Sequence, residues 1–345
     1  MRIGIVGFPF SGKTTIFNSL TGIAETSSHA KGKEVKLGLI KVPDTRIDEL
    51  TTIFQPRKTV YGEITFADIP GHPQEKKIFD EWTLTQLNNI DAMVIVIKTF
   101  TDLGDTIDPC QDLSTIQSEL ILADLVRSEN ILNRLKKQGS TDLQAQLLEK
   151  IYTHLLEEKA LRLYPLSPQE LKLISGFSFL SLLPVMVVVN CSEEGVDNDL
   201  FNELSKISAA QEWPIMKISG KIEEEIAQLA PEDQADFLTQ MNLESSARDR
   251  FIRESYKMLD LISFFTVGKD EVRSWPIKNG TVAQKAAGKV HSDIERGFIR
   301  AELIAYEDFM RYKDMNTAKK HGAVRLEGKT YIVQDGDIIN FRFNV

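Results

Sequence analysis

The N-terminal segment constrains the fold more than any other part of this chain. Residues 3–6 form a short apolar run that leads directly into Gly-Phe-Pro-Phe-Ser-Gly-Lys-Thr at residues 7–14. This octapeptide fits the pattern G-x-x-x-x-G-K-[ST], and a helix-forming stretch follows at residues 15–20. A strand, a glycine-rich loop and a helix in this order predict a phosphate-binding loop. The glycines let the backbone approach phosphate oxygens, and the helix N-terminus supplies positive partial charge.

The motif predicts different roles for its residues. We expect Lys13 to reach the β- and γ-phosphates as the catalytic cation, and the Thr14 hydroxyl to be a ligand of Mg²⁺. The remaining residues predicted to line the nucleotide phosphates are Phe8, Pro9, Phe10, Ser11, Gly12 and Thr15.

A second metal ligand is predicted where an alternating strand over residues 61–67 ends. Asp68-Ile69-Pro70-Gly71 follows that strand and fits D-x-x-G. Downstream of a phosphate-binding loop, this pattern predicts that Asp68 holds Mg²⁺ and that the Gly71 N–H faces the terminal phosphate. The next residue, His72, is a candidate for orienting the attacking water, because a neutral imidazole accepts a hydrogen bond and titrates near neutrality. An exposed loop histidine is the alternative.

Two later loops are candidates for contacting the base. A β-branched run over residues 184–189 ends in Asn-Cys-Ser-Glu, where guanine-binding proteins place N-K-x-D, so the guanine reader is altered here. A strand over residues 214–218 ends in Ser-Gly-Lys, close to the S-A-K loop of the same proteins. The residues predicted to contact the base are Asn190, Cys191, Glu193, Ser219, Gly220 and Lys221. Ligands bind at the carboxyl ends of strands in parallel α/β sheets, which is where all these motifs fall.

Composition excludes several classes of protein. The 345 residues carry a net charge of −9, which disfavours a generally basic nucleic-acid binder. Two cysteines cannot form a disulfide framework or a four-ligand zinc site. The N-terminus lacks the apolar region of a signal peptide, and the uncharged stretch 173–189 is too short to span a membrane. We therefore expect a cytoplasmic protein in which this stretch forms the end of a helix, a turn and a buried strand.

Hydrophobic periodicity divides the chain further. Leucines and isoleucines recur at helical spacing over residues 121–135 and 143–155, and Gly139-Ser140 separates the two runs, which predicts an antiparallel helical hairpin. After residue 260 the pattern becomes short strands, at 263–267, 271–277, 301–306, 324–333 and 338–343, with one helix near 281–287. We predict an α/β nucleotide-binding domain with a mostly parallel sheet over residues 1–108 and 183–260. The inserted hairpin covers 109–182, and a small α+β domain covers 261–345.

Taken together, these motifs resemble the YchF / Obg-like ATPase family of translation-factor-class P-loop proteins. The likeness runs through nearly the whole chain and is most specific at residues 118–125, at the Asn190/Glu193 pair, and at C-terminal runs within 261–345. The resemblance implies a G-protein-like P-loop NTPase domain, an inserted helical hairpin and a C-terminal β-grasp (TGS) domain. It also implies Mg²⁺-dependent hydrolysis of ATP in preference to GTP, and association with ribosomes.

The resemblance is also compatible with an RNA contact through the TGS domain. The candidate basic residues are Arg296, Arg300, Lys319, Lys320 and Arg325. Scattered surface charge is an equally good interpretation of these residues.

The chain departs from the family pattern in the phosphate-binding and switch segments. Phe10 stands where the family usually has an asparagine, which helps bind a monovalent ion in related K⁺-stimulated G-proteins, so we do not expect potassium activation. The switch I threonine of the family is absent at residues 32–36, where Thr26, Ser27 or Ser28 are candidate replacements. Switch II is shortened after Gly71.

These departures leave more than one function open. We expect a slow ATPase that acts as a switch on a ribosome- or translation-associated partner. The alternatives are a nucleotide-dependent sensor that does not hydrolyse its ligand, and a GTPase.

Overall fold

The computed structural model describes residues 1–22, 34–71, 78–101, 107–230, 233–234 and 245–344. Within these ranges the strands are β1 (Arg2–Val6), β2 (Lys36–Lys41), β3 (Lys58–Val60), β4 (Glu63–Asp68), β5 (Ala92–Lys98), β6 (Val185–Asn190), β7 (Ile215–Ile218), β8 (Leu261–Val267), β9 (Glu271–Lys278), β10 (Phe298–Ala305), β11 (Arg325–Glu327) and β12 (Asp337–Phe343). The helices are α1 (Lys13–Thr21), α2 (Thr45–Phe54), α3 (Glu81–Leu87), α4 (Pro109–Lys137), α5 (Leu143–Leu156), α6 (Pro168–Ile174), α7 (Asn198–Ala210), α8 (Gly220–Gln228), α9 (Ala247–Met258), α10 (Ala283–Val290), α11 (Ser292–Arg296), α12 (Tyr306–Tyr312) and α13 (Met315–Lys320).

A six-stranded sheet organises the first of two compact units, which comprises Met1–Gly38 and Thr65–Phe251. Its strand order is β2-β4-β1-β5-β6-β7, and the pairings from β4 through β7 are parallel. All residues of β5 and of β6 are buried. Continuous apolar runs of this kind are expected for parallel strands that are covered on both faces. The observed P-loop sheet and helices confirm the predicted α/β fold class.

The two long helices α4 and α5 form the predicted antiparallel hairpin. They pack through a separate cluster of buried residues that includes Leu132, Leu147 and Ile151. Leu143, which the helical pattern placed on the same face, is exposed because it is the first residue of α5 and precedes the packed turns. The uncharged stretch 173–189 ends α6 and enters buried β6, as predicted.

Asp124 is a fully buried carboxylate at the point where α4 meets the start of the 3₁₀ helix Leu180–Leu182. Its two oxygens accept hydrogen bonds from the N–H groups of Leu180 and Ser181, both at 2.7 Å, and from the Ser181 hydroxyl at 2.6 Å. Burial raises the pKa of the Asp124 carboxyl, while the bonds from Ser181 and Leu180 act in the opposite direction. This side chain therefore fixes the return of the chain from the hairpin into the sheet.

The second compact unit comprises Leu39–Ile64 and Ile252–Val345. Its six-stranded mixed sheet has the order β11-β10-β12-β8-β9-β3, with α10 packed on it through Ala283, Ala286 and Ala287. Strand β3 lies parallel to β9 at the sheet edge, and Ile47 and Leu50 of α2 pack into a second core cluster of this unit. Within residues 39–64, a range that the sequence pattern placed in the nucleotide-binding domain, α2 and β3 belong by packing to the C-terminal unit.

The strand predicted over residues 324–333 is shorter in the structure. Strand β11 covers only Arg325–Glu327, and the chain then turns, with the Tyr331 N–H donating to the Gly328 carbonyl at 3.3 Å. Gly328 interrupts the strand because it provides no side chain to pack on the sheet. Among the described residues, no helix is both long and apolar enough to cross a bilayer.

Candidate nucleotide-binding site

The carboxyl ends of five strands bring the sequence motifs to one edge of the first sheet. The parallel registers pair Ile5 with Asp68, Val6 with Ile95, Lys98 with Asn190, and Asn190 with Ile218. The loops that follow β1, β4, β5, β6 and β7 consequently leave the sheet on the same side, as expected for a ligand site in a parallel α/β fold.

The loop between β1 and α1 depends on its two glycines. Gly7 and Gly12 have φ angles of 152° and 85°. A Cβ at Gly7 would lie 2.5 Å from the Val96 carbonyl oxygen, and one at Gly12 would lie 2.1 Å from Asn190 Nδ2. Any larger residue would therefore push the loop away from β5 and β6, which carry the remaining site residues.

Lys13 folds back over this loop. Its ammonium group donates to the carbonyl oxygens of Gly7 at 3.0 Å and Phe8 at 2.6 Å, and the residue is 6% exposed. Burial lowers the pKa of Lys13 to about 8, partly offset by the negative charge of Asp68. A buried ammonium that donates to neutral carbonyls is well suited to pair with an anion, because a charge-assisted contact to phosphate is stronger than either of these bonds.

Thr14 and Asp68, the two predicted metal ligands, lie together. The Thr14 hydroxyl donates to Asp68 Oδ2 at 2.7 Å, while the buried Oδ1 of Asp68 has no hydrogen-bond partner within the described part of the chain. Burial raises the pKa of the Asp68 carboxyl, and the Thr14 bond and the Lys13 and Lys36 charges act against this shift. An orphaned carboxylate oxygen beside a hydroxyl fits Mg²⁺, which prefers oxygen ligands and usually takes one or two of them from protein.

The other residues of the two phosphate motifs are distributed around this pair. A Cβ at Gly71 would lie 3.4 Å from the Gly7 carbonyl oxygen and 3.6 Å from Pro9, so Gly71 lies against the phosphate-binding loop. Phe10, at the tip of the loop, has a φ of 62° and is 81% exposed. His72, Thr26, Ser27, Ser28 and residues 32–33 lie outside the described ranges, and their roles stay predictions.

Asn190 connects the phosphate-binding loop to the last strand-end loop. Its side-chain amide donates to the Ser11 carbonyl at 2.9 Å, and its oxygen accepts from the Gly220 N–H at 3.0 Å. The residue is 3% exposed. The amide oxygen is thus used within the protein, and one of the two amide hydrogens is left for a ligand. Asn190 therefore positions both loops as well as being a candidate base contact.

The two predicted base loops border one cavity of about 680 Å³, which is also lined by Gly12 and Thr15 of the phosphate-binding segment. Within the cavity wall, Lys221 Nζ lies 2.7 Å from Glu193 Oε1. Cys191 is buried beside this pair, and burial raises the pKa of its thiol. Ser219 lies two residues before Lys221 in the sequence. Its buried hydroxyl has no hydrogen-bond partner among the residues that the structure describes.

Sequence reasoning missed part of the cavity wall. Phe100, Glu194 and Glu224 also line it, and the Lys98 ammonium lies 4.9 Å from the centre of the Phe100 ring. The signal that would have found Phe100 is its position just after β5, an apolar run whose carboxyl end meets the same sheet edge.

Glu119 of the hairpin reaches the chain that follows the D-x-x-G segment. Its carboxylate accepts from the N–H groups of Ile78 at 3.0 Å and Phe79 at 3.1 Å. Both of these residues are buried in the core of the first unit. Glu119 lies in the run 118–125 that carries the family resemblance, and this contact gives the carboxylate a positioning role there.

The basic residues of the second unit are partly used in internal pairs. Lys319 lies 2.5 Å from Glu302, which also pairs with Arg342 at 3.0 Å, and Arg296 pairs with Asp293. Arg325 lies 5.8 Å from the Tyr331 ring, and Arg300 and Lys320 are exposed. Two of the five candidate RNA-contacting residues, Arg296 and Lys319, are therefore paired with carboxylates of the same unit.

Comparisons with known proteins match both ends of the chain. A family model described as "50S ribosome-binding GTPase" matches residues 2–131. A second model, for the C-terminal part of YchF GTPases and described as "Protein of unknown function (DUF933)", matches residues 261–344.

Full-length relatives and a solved structure agree with these matches. A protein of Haemophilus ducreyi named "Ribosome-binding ATPase YchF" is 38% identical over 100% of this chain and 99% of its own length. The Bacillus subtilis protein of the same name is 37% identical, with 100% of both chains covered. The structure of the Schizosaccharomyces pombe YchF GTPase superposes with a TM-score of 0.86 at 28% identity, covering 99% of this chain and 97% of that one.

Proposed function

Because this chain belongs to the YchF family, we propose that it binds ATP in preference to GTP, hydrolyses it slowly with Mg²⁺, and acts as a switch on a ribosome or ribosome-associated partner. The observation that carries the proposal is the joint placement of Lys13, Thr14 and Asp68 at the sheet edge where Asn190 and Glu193 also lie. Phosphate chemistry and base contact are thereby assigned to neighbouring parts of one site.

Catalysis in this proposal relies on positioning and charge. Lys13 leaves the loop carbonyls and pairs with the β- and γ-phosphate oxygens, and the loop N–H groups and the start of α1 bind the phosphates. Thr14 and Asp68 would hold Mg²⁺, which neutralises charge on the phosphates when bound. The Gly71 N–H faces the terminal phosphate while water attacks it in line. The transition state is stabilised because these groups are already oriented.

The proposal is tested by competition binding of ATP, GTP, ADP and GDP, with and without ribosomes. We expect the adenine nucleotides to bind more tightly than the guanine nucleotides. We also expect bound nucleoside triphosphate to alter the co-sedimentation of the protein with ribosomes. Tighter binding of GTP by tenfold or more would contradict the ATP preference, and nucleotide-independent co-sedimentation would contradict the switch.

The length of the Glu193 side chain leads to a prediction about the preference for adenine over guanine. Its carboxylate extends one methylene further than the aspartate of N-K-x-D, into the space of the guanine 2-amino group, which adenine lacks. Glu193→Asp combined with Cys191→Lys should therefore move the preference toward guanine. The free-energy difference between matched and mispaired donors is about 1–3 kcal/mol. Isothermal titration with ADP and GDP measures the change, with the Cys191→Lys single variant as control. An unchanged ratio of dissociation constants would mean that Glu193 does not contact the base.

His72 is proposed to orient the attacking water. A group of this type typically contributes about 10²–10⁴-fold, so His72→Ala should lower kcat at least about tenfold while leaving ATP affinity nearly unchanged. Steady-state turnover and equilibrium binding of the same preparation separate the two parameters. If kcat is unchanged, water positioning belongs to the backbone, the substrate or a bound partner.

A further inference from the structure

We propose that Lys221 is the residue that sets base selectivity, by engaging the Glu193 carboxylate and so withholding it from guanine. The inference rests on the proposed nucleotide site and deepens it by naming the group that controls which base is accepted. It starts from one contact, the ion pair of 2.7 Å between Lys221 Nζ and Glu193 Oε1 in the wall of the base cavity.

The backbone on both sides of this ion pair is fixed. Glu193 follows Asn190 at the end of β6, and Lys221 follows Gly220 at the start of α8. Asn190 accepts the Gly220 N–H at 3.0 Å, and β6 pairs with β7 up to the register Asn190–Ile218. The two side chains are therefore presented to each other from anchored strand ends, so less conformational entropy is lost when they pair than between two mobile loops.

The two protein groups that would contact a guanine edge are both occupied internally. Guanine offers two neighbouring donors, N1–H and the 2-amino group, and needs a carboxylate that accepts both, beside a donor for its 6-oxo group. Here the carboxylate of Glu193 is bound by the Lys221 ammonium, and the Gly220 N–H is bound by the oxygen of Asn190. A guanine would have to displace the Lys221 ammonium from the Glu193 carboxylate. Otherwise the N1–H and 2-amino donors of guanine would face the ammonium, which is also a donor.

Adenine is affected much less by the same pair. Its base edge carries a single amino donor next to a ring nitrogen that accepts, so it does not require a carboxylate with both sites open. Lys221 therefore penalises guanine more than adenine, and specificity follows from this difference of affinities.

Lys221 is the cationic partner of Glu193 in the wall of this cavity. Glu194 and Glu224 line the same cavity, and Lys221 is the only lysine or arginine among the described residues that line it. Glu193 also raises the pKa of Lys221, so the ammonium stays charged in the neutral range. Removing the ammonium frees the Glu193 side chain to turn out of the space of the guanine 2-amino group and to offer its accepting oxygens to the guanine donors.

The test is a double-mutant cycle on Lys221 and Glu193, with dissociation constants for ADP and GDP measured by isothermal titration at fixed salt. Lys221→Ala should reduce the ADP-over-GDP preference by about threefold to fivefold, the size expected for breaking an exposed ion pair. In the Glu193→Ala background, Lys221→Ala should leave the ratio unchanged, because the coupling acts through that carboxylate. Lys206→Ala, an exposed lysine on α7, is the matched control. If Lys221 has only a structural role, Lys221→Ala should weaken the binding of ADP and GDP by the same factor, so the ratio of their dissociation constants stays constant.

The outcomes separate this inference from the proposed function. A wild-type preference for ADP with an unchanged ratio in Lys221→Ala would overturn the role of Lys221 and leave the ATPase proposal intact. A wild-type chain that shows no preference, or prefers GDP, would overturn both. A shift toward guanine in Lys221→Ala that persists without Glu193 would show that Lys221 acts on the base directly, and would overturn the mechanism in which it acts through the carboxylate.

Discussion

Replacement of Lys13 with alanine should weaken ATP binding by at least about 30-fold and abolish measurable turnover. Truncating one partner of a close charge pair typically costs about 2–5 kcal/mol, and about 2 kcal/mol corresponds to about 30-fold in affinity. The ammonium is placed for this role because its present partners, the Gly7 and Phe8 carbonyls, belong to the phosphate-binding loop itself. Equilibrium titration with ATP, and phosphate release under single-turnover conditions, measure the two effects.

The fold should survive this substitution. The hydrogen bonds of Lys13 go to carbonyls of its own loop, and burial opposes its charge, as its pKa of about 8 indicates. The thermal midpoint of Lys13→Ala should therefore lie close to that of wild type. Lys137→Ala, which removes an exposed lysine at the end of α4, is the control for loss of charge alone. Normal ATP binding and turnover by Lys13→Ala would mean that the loop after β1 is not the phosphate site.

Replacement of Asp124 with alanine should produce a large loss of stability in the first unit. The substitution leaves two buried N–H groups and one hydroxyl without their acceptor, at Leu180 and Ser181. Each unsatisfied buried donor costs about 1–3 kcal/mol, and partial relaxation reduces the sum, so we expect a loss of about 3–5 kcal/mol. Chemical denaturation followed by fluorescence gives the free energy of unfolding, and amide exchange at Leu180 and Ser181 reports on the site itself.

A second variant separates the hydrogen bonds from the charge. Asp124→Asn keeps one accepting oxygen and turns the other into a donor that faces donors, so its loss should fall between wild type and Asp124→Ala. Glu129→Ala, an exposed carboxylate on the same helix, should change stability by less than about 0.5 kcal/mol. If Asp124→Ala unfolds at the same denaturant concentration as wild type, with unchanged amide exchange at Leu180, the hydrogen bonds of Asp124 contribute nothing to stability.

The phosphate-binding part of the site was predictable because its chemistry is local in sequence. Gly7, Gly12, Lys13 and Thr14 lie within one eight-residue segment, residues 7–14. The pattern indicates both the backbone conformation and the charge that phosphate binding needs. Asp68 is distant in sequence, yet it is the last residue of β4, and parallel strands bring their carboxyl ends to one edge. The order of the motifs was therefore enough to place them together.

The contacts that the sequence did not predict depend on long-range pairing. Strand β3 has only three residues, and its place beside β9 depends on sheet registration that no local pattern encodes. The Glu193–Lys221 pair joins two loops that were each identified, but their mutual distance follows from the β6–β7 register. Phe100 was missed because no motif marks the end of β5, which is apolar over residues 92–97 and ends in Lys98.

The central claim, that this chain hydrolyses ATP at the site described, is tested most directly by single-turnover hydrolysis of γ-labelled ATP with and without Mg²⁺. Enzyme in excess over nucleotide should release labelled phosphate clearly faster than the uncatalysed reaction. The release should require Mg²⁺ and disappear in Lys13→Ala. Tight, Lys13-dependent binding of ATP with no release above the uncatalysed rate would contradict the account and identify a nucleotide sensor in place of an ATPase.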